Sequence, residues 1–491
     1  MDFSGVENFG AIDADADELL RDCFQDHPAY IAAKRHQRFL IIGRKGSGKT
    51  AIYKKLITDR SPELFSYGHT FEDYPWHHHD LQAQIGVPEE RRYLHSWKYL
   101  ILMSLAKVLL NWDQSQPWSD ESLESLGGLE AFVVDSYGSR DPDLTQLFSP
   151  EKELRFKGSL KLPFAQVDGE RVRVRDLPTH VQEVNREVTR HVVESLNPES
   201  DYYVCFDQLD LGFTAVDPLY SQRLIGLLLA ARELSQSAQD SGKRLSIVVF
   251  LRDDIYQSLQ FEDKNKITEN HLSRIEWNTY GPGLTLKRLM ESRFGQTLER
   301  VGSLGWDQVF DEAKSMPSRQ TKYAHICDRT FLRPRDMIKF CNEVLLAYRT
   351  RKTSGSGQFD NKSIIDARDA YSDYLLNELE DEIHKHVPEY REYLEAIKSI
   401  GSLQFNAEQF ELAWKERRPQ SAKDSTAALQ ELFDFSVIGF LKSGGGGGGS
   451  KYSWKYRDPR ARFNEGAEWF RVHPGFKDAL DLTRGKSAQQ S

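Results

Sequence analysis

Cysteine is scarce and scattered in this chain. Its 491 residues include four, Cys23, Cys205, Cys327 and Cys341, with no C-x-x-C pair among them. That excludes a disulfide framework or a simple cysteine zinc site and fits a reducing cytosol. Long apolar runs are also missing: the most apolar stretch, Tyr99 to Leu110, is interrupted by Lys107 and is too short to span a bilayer. The N-terminal residues carry no basic-then-apolar leader pattern. A cytoplasmic protein without membrane contact is therefore expected. Charge of one sign is not in large excess, with 65 Lys and Arg against 74 Asp and Glu. This balance argues against a polyanion binder acting over its whole surface, but leaves room for a local basic patch. The length suits about two or three domains.

The most informative stretch is Gly43-Arg44-Lys45-Gly46-Ser47-Gly48-Lys49-Thr50, which fits the Walker A pattern G-x-x-x-x-G-K-[ST]. The apolar run Phe39–Ile42 enters it and a helix-like segment from Thr50 to Ile57 leaves it, so a strand–loop–helix context is expected. Gly43, Gly46, Ser47 and Gly48 would let backbone N–H groups converge on phosphate oxygens at a helix start. Lys49 would reach the β- and γ-phosphates of ATP, and the Thr50 hydroxyl would ligate Mg²⁺. The alternative, a Gly-rich turn with a chance lysine, leaves the flanking strand and helix unexplained.

Other elements follow by period and punctuation. Asp15 to Phe24 is amphipathic and predicts a helix, and Pro28 to Ala33 starts a second. Ser66 to Phe71 predicts a strand and Tyr93 to Trp112 a long helix. Residues 113 to about 180 read as an insertion with Pro, Ser, Gly and Asp clusters, followed by a β-hairpin around Asp168-Gly169. Tyr202–Phe206 and Leu245–Leu251 predict buried parallel strands. Tyr220 to Leu234 is expected to be helical, with a last short strand at Arg274–Trp277 and a helix over Leu286–Arg300. Strands alternating with helices imply an α/β fold: a P-loop parallel sheet with helices on both faces. A mostly helical segment follows over 306–385. Then come helices at Glu389–Ile400, Ala407–Arg417 and Ser425–Phe433, and strands at Ser436–Leu441 and Lys451–Lys455 around a six-glycine run, which is a winged-helix pattern. The expected domains are a P-loop ATPase domain over 1–300 with its insertion at about 113–180, a helical lid over 301–385 and a winged helix over 386–491.

An ATPase also needs an acid at the end of another core strand. Asp207, closing Tyr202–Phe206, would hold Mg²⁺ opposite Thr50; an ordinary N-cap aspartate is the other reading. The residue after it is Gln208, so the attacking water would be polarised by Asp210 or oriented by Gln208. Arg252, at the end of the Leu245–Leu251 strand, could sense the γ-phosphate or form a salt bridge with Asp253, Asp254 or another acid. Arg333 and Arg335, at the start of an amphipathic helix, could reach the phosphates or form an exposed pair capped by Asp336. Arg274 is one candidate for an arginine finger.

This set, with a winged helix behind it, resembles the AAA+/STAND class of P-loop ATPases. Within that class the layout is similar to prokaryotic ATPases of the origin-recognition and Cdc6 group. It is also similar to a bacterial family sharing "GRKGSGKT", "FDQLD" and "RPRD" motifs. The resemblance covers most of 15–480 apart from the insertion. It implies ATP as nucleotide, Mg²⁺ as cofactor, and a nucleotide-driven switch or homo-oligomer. Relatives serve DNA transactions or defence against phage and other mobile elements. Gln208 departs from the AAA+ pattern, where Glu commonly follows the acid, and puts the hydrolytic step in doubt.

Three outputs are open. One is a regulatory ATPase controlling a separate effector protein, since nothing in the chain reads as a nuclease, protease or nucleophile constellation. Another is a DNA-binding ATPase of the initiator or loader type. Its support is Arg171, Arg173 and Arg175 on one strand face, which also suits a charged edge strand, together with the wing cations Lys442, Lys451, Lys455 and Arg457. The third is a small-molecule or nucleotide kinase, against which the length, the late arginines and the winged helix all argue. His77-His78-His79-Asp80 lacks metal-ligand spacing and reads as an exposed loop, and Trp76 reads as a core anchor.

Overall fold

The computed structural model describes residues 1–59, 61–71, 79, 88–147, 153–155, 171–173, 177–210, 217–279, 281, 284–299, 302–351, 357–384, 386–417, 424–442 and 450–483. The chain divides into two compact units: a first of Asp26–Arg44 and Lys49–Ile275, and a second of Met1–Gln25, Lys45–Gly48 and Glu276–Ser491.

In the first unit, Pro28 opens helix α1 (Pro28–Lys34), its fixed φ suiting the first turn. Strand β1 (Leu40–Gly43) follows, then α2 (Lys49–Thr58), β2 (Leu64–Thr70) and the long α3 (Leu94–Asn111). The insertion supplies α4 (Asp120–Tyr137), α5 (Leu144–Leu147) and the short strands β3 (Glu153–Arg155) and β4 (Arg171–Arg173), and α6 (Leu177–Ser195) follows at its end. Next come β5 (Asp201–Asp207), α7 (Pro218–Asp240), β6 (Arg244–Arg252), α8 (Asp253–Ser258), α9 (Lys264–His271) and β7 (Leu272–Arg274).

Five strands form one parallel sheet in the order β2-β5-β6-β1-β7. Successive residues of β2 show how helices cover both faces. Gly68 lies against α2, where a Cβ would collide with the Tyr53 hydroxyl. His69 points the other way, its Nε2 2.8 Å from Ser104 Oγ on α3. The fold is α/β, a parallel sheet with helices on both faces, and strands buried on both faces explain why Leu40, Ile41 and Ile42 are fully covered.

In the second unit, a mostly helical run comprises α10 (Leu286–Phe294), α11 (Trp306–Val309), α12 (Lys322–Cys327), α13 (Pro334–Thr350), α14 (Asn361–Asp366) and α15 (Arg368–Ile383). The N-terminal residues pack into the same core: Phe3 stacks on Phe359 at 4.3 Å, and Asp17 forms a buried ion pair with Arg293 at 2.5 Å. The C-terminal part holds α16 (Tyr390–Ile400), β8 (Gln404–Asn406), α17 (Ala407–Arg417), α18 (Ser425–Asp434), β9 (Ile438–Lys442), β10 (Lys451–Ser453) and β11 (Trp469–Val472). Its strands order as β10-β9-β11-β8, all antiparallel. Three helices, α16, α17 and α18, precede the β9–β10 pair.

Several expectations are corrected. Asp15–Phe24 forms turns rather than a helix. Acids around its start bond local backbone instead, Asp13 accepting from the Asp15 N–H and Asp17 from the Ala11 N–H. The insertion is more helical than its composition suggested. A Ser119 capping box and a left-handed Gly138 (φ 78°) bound α4, while Val181, Val184, Val188 and Val192 bury one stripe of α6. The last strand sits at Leu272–Arg274, ahead of Arg274–Trp277, and α10 passes at Gly295 into a π-helical turn that ends at Glu299. Strands β3 and β4 pair antiparallel, Glu153 opposite Arg173. Asp168, Gly169 and Arg175 lie outside the described residues, as do Trp76, His77, His78, Asp80 and the six-glycine run. His79 is described, and it is buried rather than exposed: its Nδ1 is 2.8 Å from Ser96 Oγ and its ring packs on Trp97 at 4.1 Å. Among the described residues no helix is long and apolar enough to cross a membrane.

Candidate functional site

Gly43 closes β1, Gly46 and Gly48 carry φ of +76° and +104°, and α2 starts at Lys49. Both glycine conformations are ones that side-chain-bearing residues rarely adopt. Gly43, Arg44 and the residues from Lys49 onward belong to the first unit, and Lys45–Gly48 to the second.

Within the first unit, Lys49 turns back on its own loop. Its Nζ donates to the carbonyls of Gly43 at 3.0 Å and Arg44 at 3.1 Å. Burial pushes the Lys49 ammonium pKa down, while Asp210 and Asp207 pull it up. Asp207 ends β5 and is almost wholly buried. Burial pushes its carboxyl pKa up, opposed by a hydrogen bond from Thr50 and by the charge of Lys49. Asp207 Oδ2 has no hydrogen-bond partner. Gln208 sits at φ +60°, a strained backbone for a non-glycine residue, and its buried Oε1 is also unpartnered.

Buried polar atoms are normally satisfied. A bare carboxylate oxygen on a residue bonded to a hydroxyl is a hard-oxygen donor set of the kind Mg²⁺ takes. These residues fit a magnesium nucleotide.

Arg252 ends β6, where it pairs in register with Gly43. Its guanidinium grips Asp254 through Nε at 3.1 Å and Nη2 at 2.7 Å, and Nη1 lies 3.5 Å from Asp210 Oδ2. The salt-bridge reading of Arg252 is therefore the one the geometry favours. Arg274 is ion-paired with Asp253. Gly43, Lys49, Thr50, Asp207, Asp210 and Arg252 thus gather at the C-terminal edge of the parallel sheet, where ligands of open α/β sheets bind.

In the second unit the two late arginines are not an exposed pair. Arg333 is buried, with Nε and Nη2 gripping Asp336 at 2.9 and 2.8 Å and Nη1 2.9 Å from both Glu382 Oε1 and the Lys45 carbonyl. Most of its N–H groups are committed to these partners. Arg335 reaches Glu378 at 3.1 Å and the Ile12 carbonyl at 3.1 Å. Its side chain lies against Gly46, where a Cβ would approach it to 3.0 Å. Lys45 pairs with Asp381 at 2.9 Å and Glu378 at 3.6 Å, and the Trp277 indole N–H donates to the Ser47 carbonyl at 2.9 Å. Ser47 Oγ is buried without a partner.

Sequence reading missed Trp277 and the acids Glu378, Asp381 and Glu382. The acids carried a faint signal, since their spacing puts them on one face of α15.

A family model described as the FunZ-associated C-terminal helical domain matches residues 284–380. The chain is 21% identical to a protein of Escherichia coli (strain K12) named for the transposon gamma-delta, the 80.3 kDa protein, over 92% of this chain. It spans 64% of that relative's length. Among solved structures, it is similar to Aeropyrum pernix Orc1 in complex with DNA, at a TM-score of 0.36 and 10% identity over 94% of this chain and 92% of that one. Cdc6p from Pyrobaculum aerophilum matches at a TM-score of 0.29 and 10% identity, over 94% and 91%.

Proposed function

We propose that the chain is an ATP-binding and ATP-hydrolysing regulatory ATPase that switches or assembles with nucleotide and controls a separate partner protein. The observation that carries this reading is the buried, unpartnered Oδ2 of Asp207 on a carboxylate bonded to Thr50, the last residue of the Gly43–Thr50 loop. Bound magnesium ATP supplies the phosphoryl group open to attack and the cation that neutralises developing charge. Gly43, Gly46, Ser47, Gly48 and Lys49 hold the phosphates, and Thr50 and Asp207 hold Mg²⁺. Asp210 polarises the attacking water or Gln208 orients it, and Arg252 fixes Asp210 and Asp254. The name of the Escherichia coli relative supports a mobile element as the setting; defence against such elements is part of this proposal.

Phosphate release and the mass in solution, each measured with and without ATP for the wild type and Lys49→Ala, test this reading. ATP-dependent release or assembly that Lys49→Ala loses supports it; neither activity in the wild type overturns it.

A second reading, a DNA-binding ATPase of the initiator or loader type, has one observation in its favour. Lys442 and Lys451 stand directly opposite each other on the β9–β10 hairpin, and neither has an acidic partner among the described residues. Like charges at such a pair are unfavourable unless an anion lies between them. Lys455 and Arg457 are less available, since Lys455 donates to the Ala461 carbonyl at 2.9 Å and Arg457 pairs with Asp328 at 3.1 Å. ATP-sensitive binding of duplex DNA at physiological salt would support this reading, and its absence would sink it.

A further inference from the structure

Three consecutive carbonyls of the Walker A loop are held from outside the loop. The Lys45 carbonyl accepts from Arg333 Nη1 at 2.9 Å, the Gly46 carbonyl from the backbone N–H of Arg335 at 3.5 Å, and the Ser47 carbonyl from the Trp277 indole at 2.9 Å. All six residues belong to one unit.

In a trans peptide the carbonyl of one residue and the N–H of the next point in opposite directions across one rigid plane. Fixing the carbonyls of 45, 46 and 47 therefore fixes the N–H groups of Gly46, Ser47 and Gly48. Among the described residues, none of these three N–H groups makes a backbone hydrogen bond. A run of oriented, unspent N–H groups is an anion-binding nest.

The local sequence explains why the donors are where they are. Leu332 at φ +56° turns the chain into α13, and Pro334 opens that helix. The Arg335 N–H, an unbonded donor at a helix start, is thereby left for Gly46. Asp336 and Glu382 lock the Arg333 guanidinium so that Nη1 faces the Lys45 carbonyl.

We infer that Trp277, Arg333 and Arg335 are positioning residues for the phosphate cradle. They set the peptide planes of Lys45–Gly48 before nucleotide arrives, Trp277 and Arg333 through their side chains and Arg335 through its backbone N–H. The ligand class is a di- or triphosphate, recognised by backbone N–H groups. This inference rests on the nucleotide-binding reading above.

The test is isothermal titration of the full chain with ADP, and separately with inorganic pyrophosphate, comparing wild type, Lys49→Ala and Trp277→Phe. Trp277→Phe keeps a ring and removes one donor, so it should weaken both ligands by a similar factor, about fivefold for one hydrogen bond. The ADP-induced rise in Tm should shrink relative to that variant's own ligand-free Tm, a change that a purely structural role of Trp277 would not produce. If wild type binds and Trp277→Phe binds both ligands equally well, the positioning role is overturned while the nucleotide site stands. If wild type and Lys49→Ala both fail to bind, the nucleotide reading falls and takes this inference with it.

Discussion

Arg333 donates to the Lys45 carbonyl at 2.9 Å while the same guanidinium grips Asp336. The arginine is thus a buried strut between α13 and the Walker A loop segment, with Asp336 fully buried beside it. Removing one partner of such a pair leaves an uncompensated buried charge. Arg333→Ala should destabilise the protein by about 3–5 kcal/mol, measured by urea unfolding. Arg333→Lys should recover little, because an ammonium cannot reproduce the two-pronged grip.

Asp17 and Arg293 make a similar prediction at the N-terminal segment. Both side chains are almost fully buried, and Arg293 also donates to the Phe9 carbonyl at 3.0 Å. Asp17→Ala should cost about 3–5 kcal/mol. A double replacement by apolar residues of similar volume should cost much less, which equilibrium unfolding of the single and double variants would resolve.

His69 gives the acid limb of stability. Buried between Ser104 and the ring of Phe206, it has its pKa pushed down to about 3 from an ordinary 6.5. The unfolded chain takes up a proton there that the folded chain refuses. The stabilisation is therefore present above about pH 6.5 and lost as pH falls toward about 3, by up to about 5 kcal/mol. His69→Gln should flatten that limb in a pH series of unfolding curves.

Asp207 has the opposite sign. Its folded pKa lies above the ordinary carboxylate value because of burial, so the folded chain keeps a proton that the unfolded chain has released. Ligand-free stability should fall as pH rises through that window. Mg²⁺ competes with the same proton, so the Tm rise from magnesium ATP should grow as pH rises above the ordinary carboxylate range. Thermal scans of wild type and Asp207→Asn check this, the variant showing neither trend.

For the β9–β10 hairpin, replacing Lys442 or Lys451 by Gln should weaken duplex DNA binding alike across sequences. Each loss should lower the slope of log affinity against log salt by about 1. Anisotropy titrations at several salt concentrations measure it.

The strands that build the site were legible because parallel strands covered on both faces are near-continuously apolar, as Tyr202–Phe206 and, apart from Ser246, Leu245–Leu251 are. The Walker A loop was legible because its chemistry depends on local spacing. Helix α6 was readable too, from valines at 181, 184, 188 and 192, but it lies mostly past the 113–180 insertion, where no element was expected. The apolar period of Asp15–Phe24 misled in the other direction: Asp17 is drawn into an ion pair 276 residues away, and that long-range contact overrides local periodicity. Trp277 and the Ser47 carbonyl are 230 residues apart. No local pattern marks such a contact, so the support behind the loop had to be seen in the fold.

The central claim is that Gly43–Thr50 and Asp207 together hold magnesium ATP. Calorimetric titration of the full chain with ATP, with and without Mg²⁺, tests it most directly. The account predicts one ATP per chain, weaker binding without Mg²⁺ or in Asp207→Asn, and loss of binding in Lys49→Ala. Wild-type protein that binds no ATP in the presence of Mg²⁺, or binding that Lys49→Ala leaves intact, would contradict it.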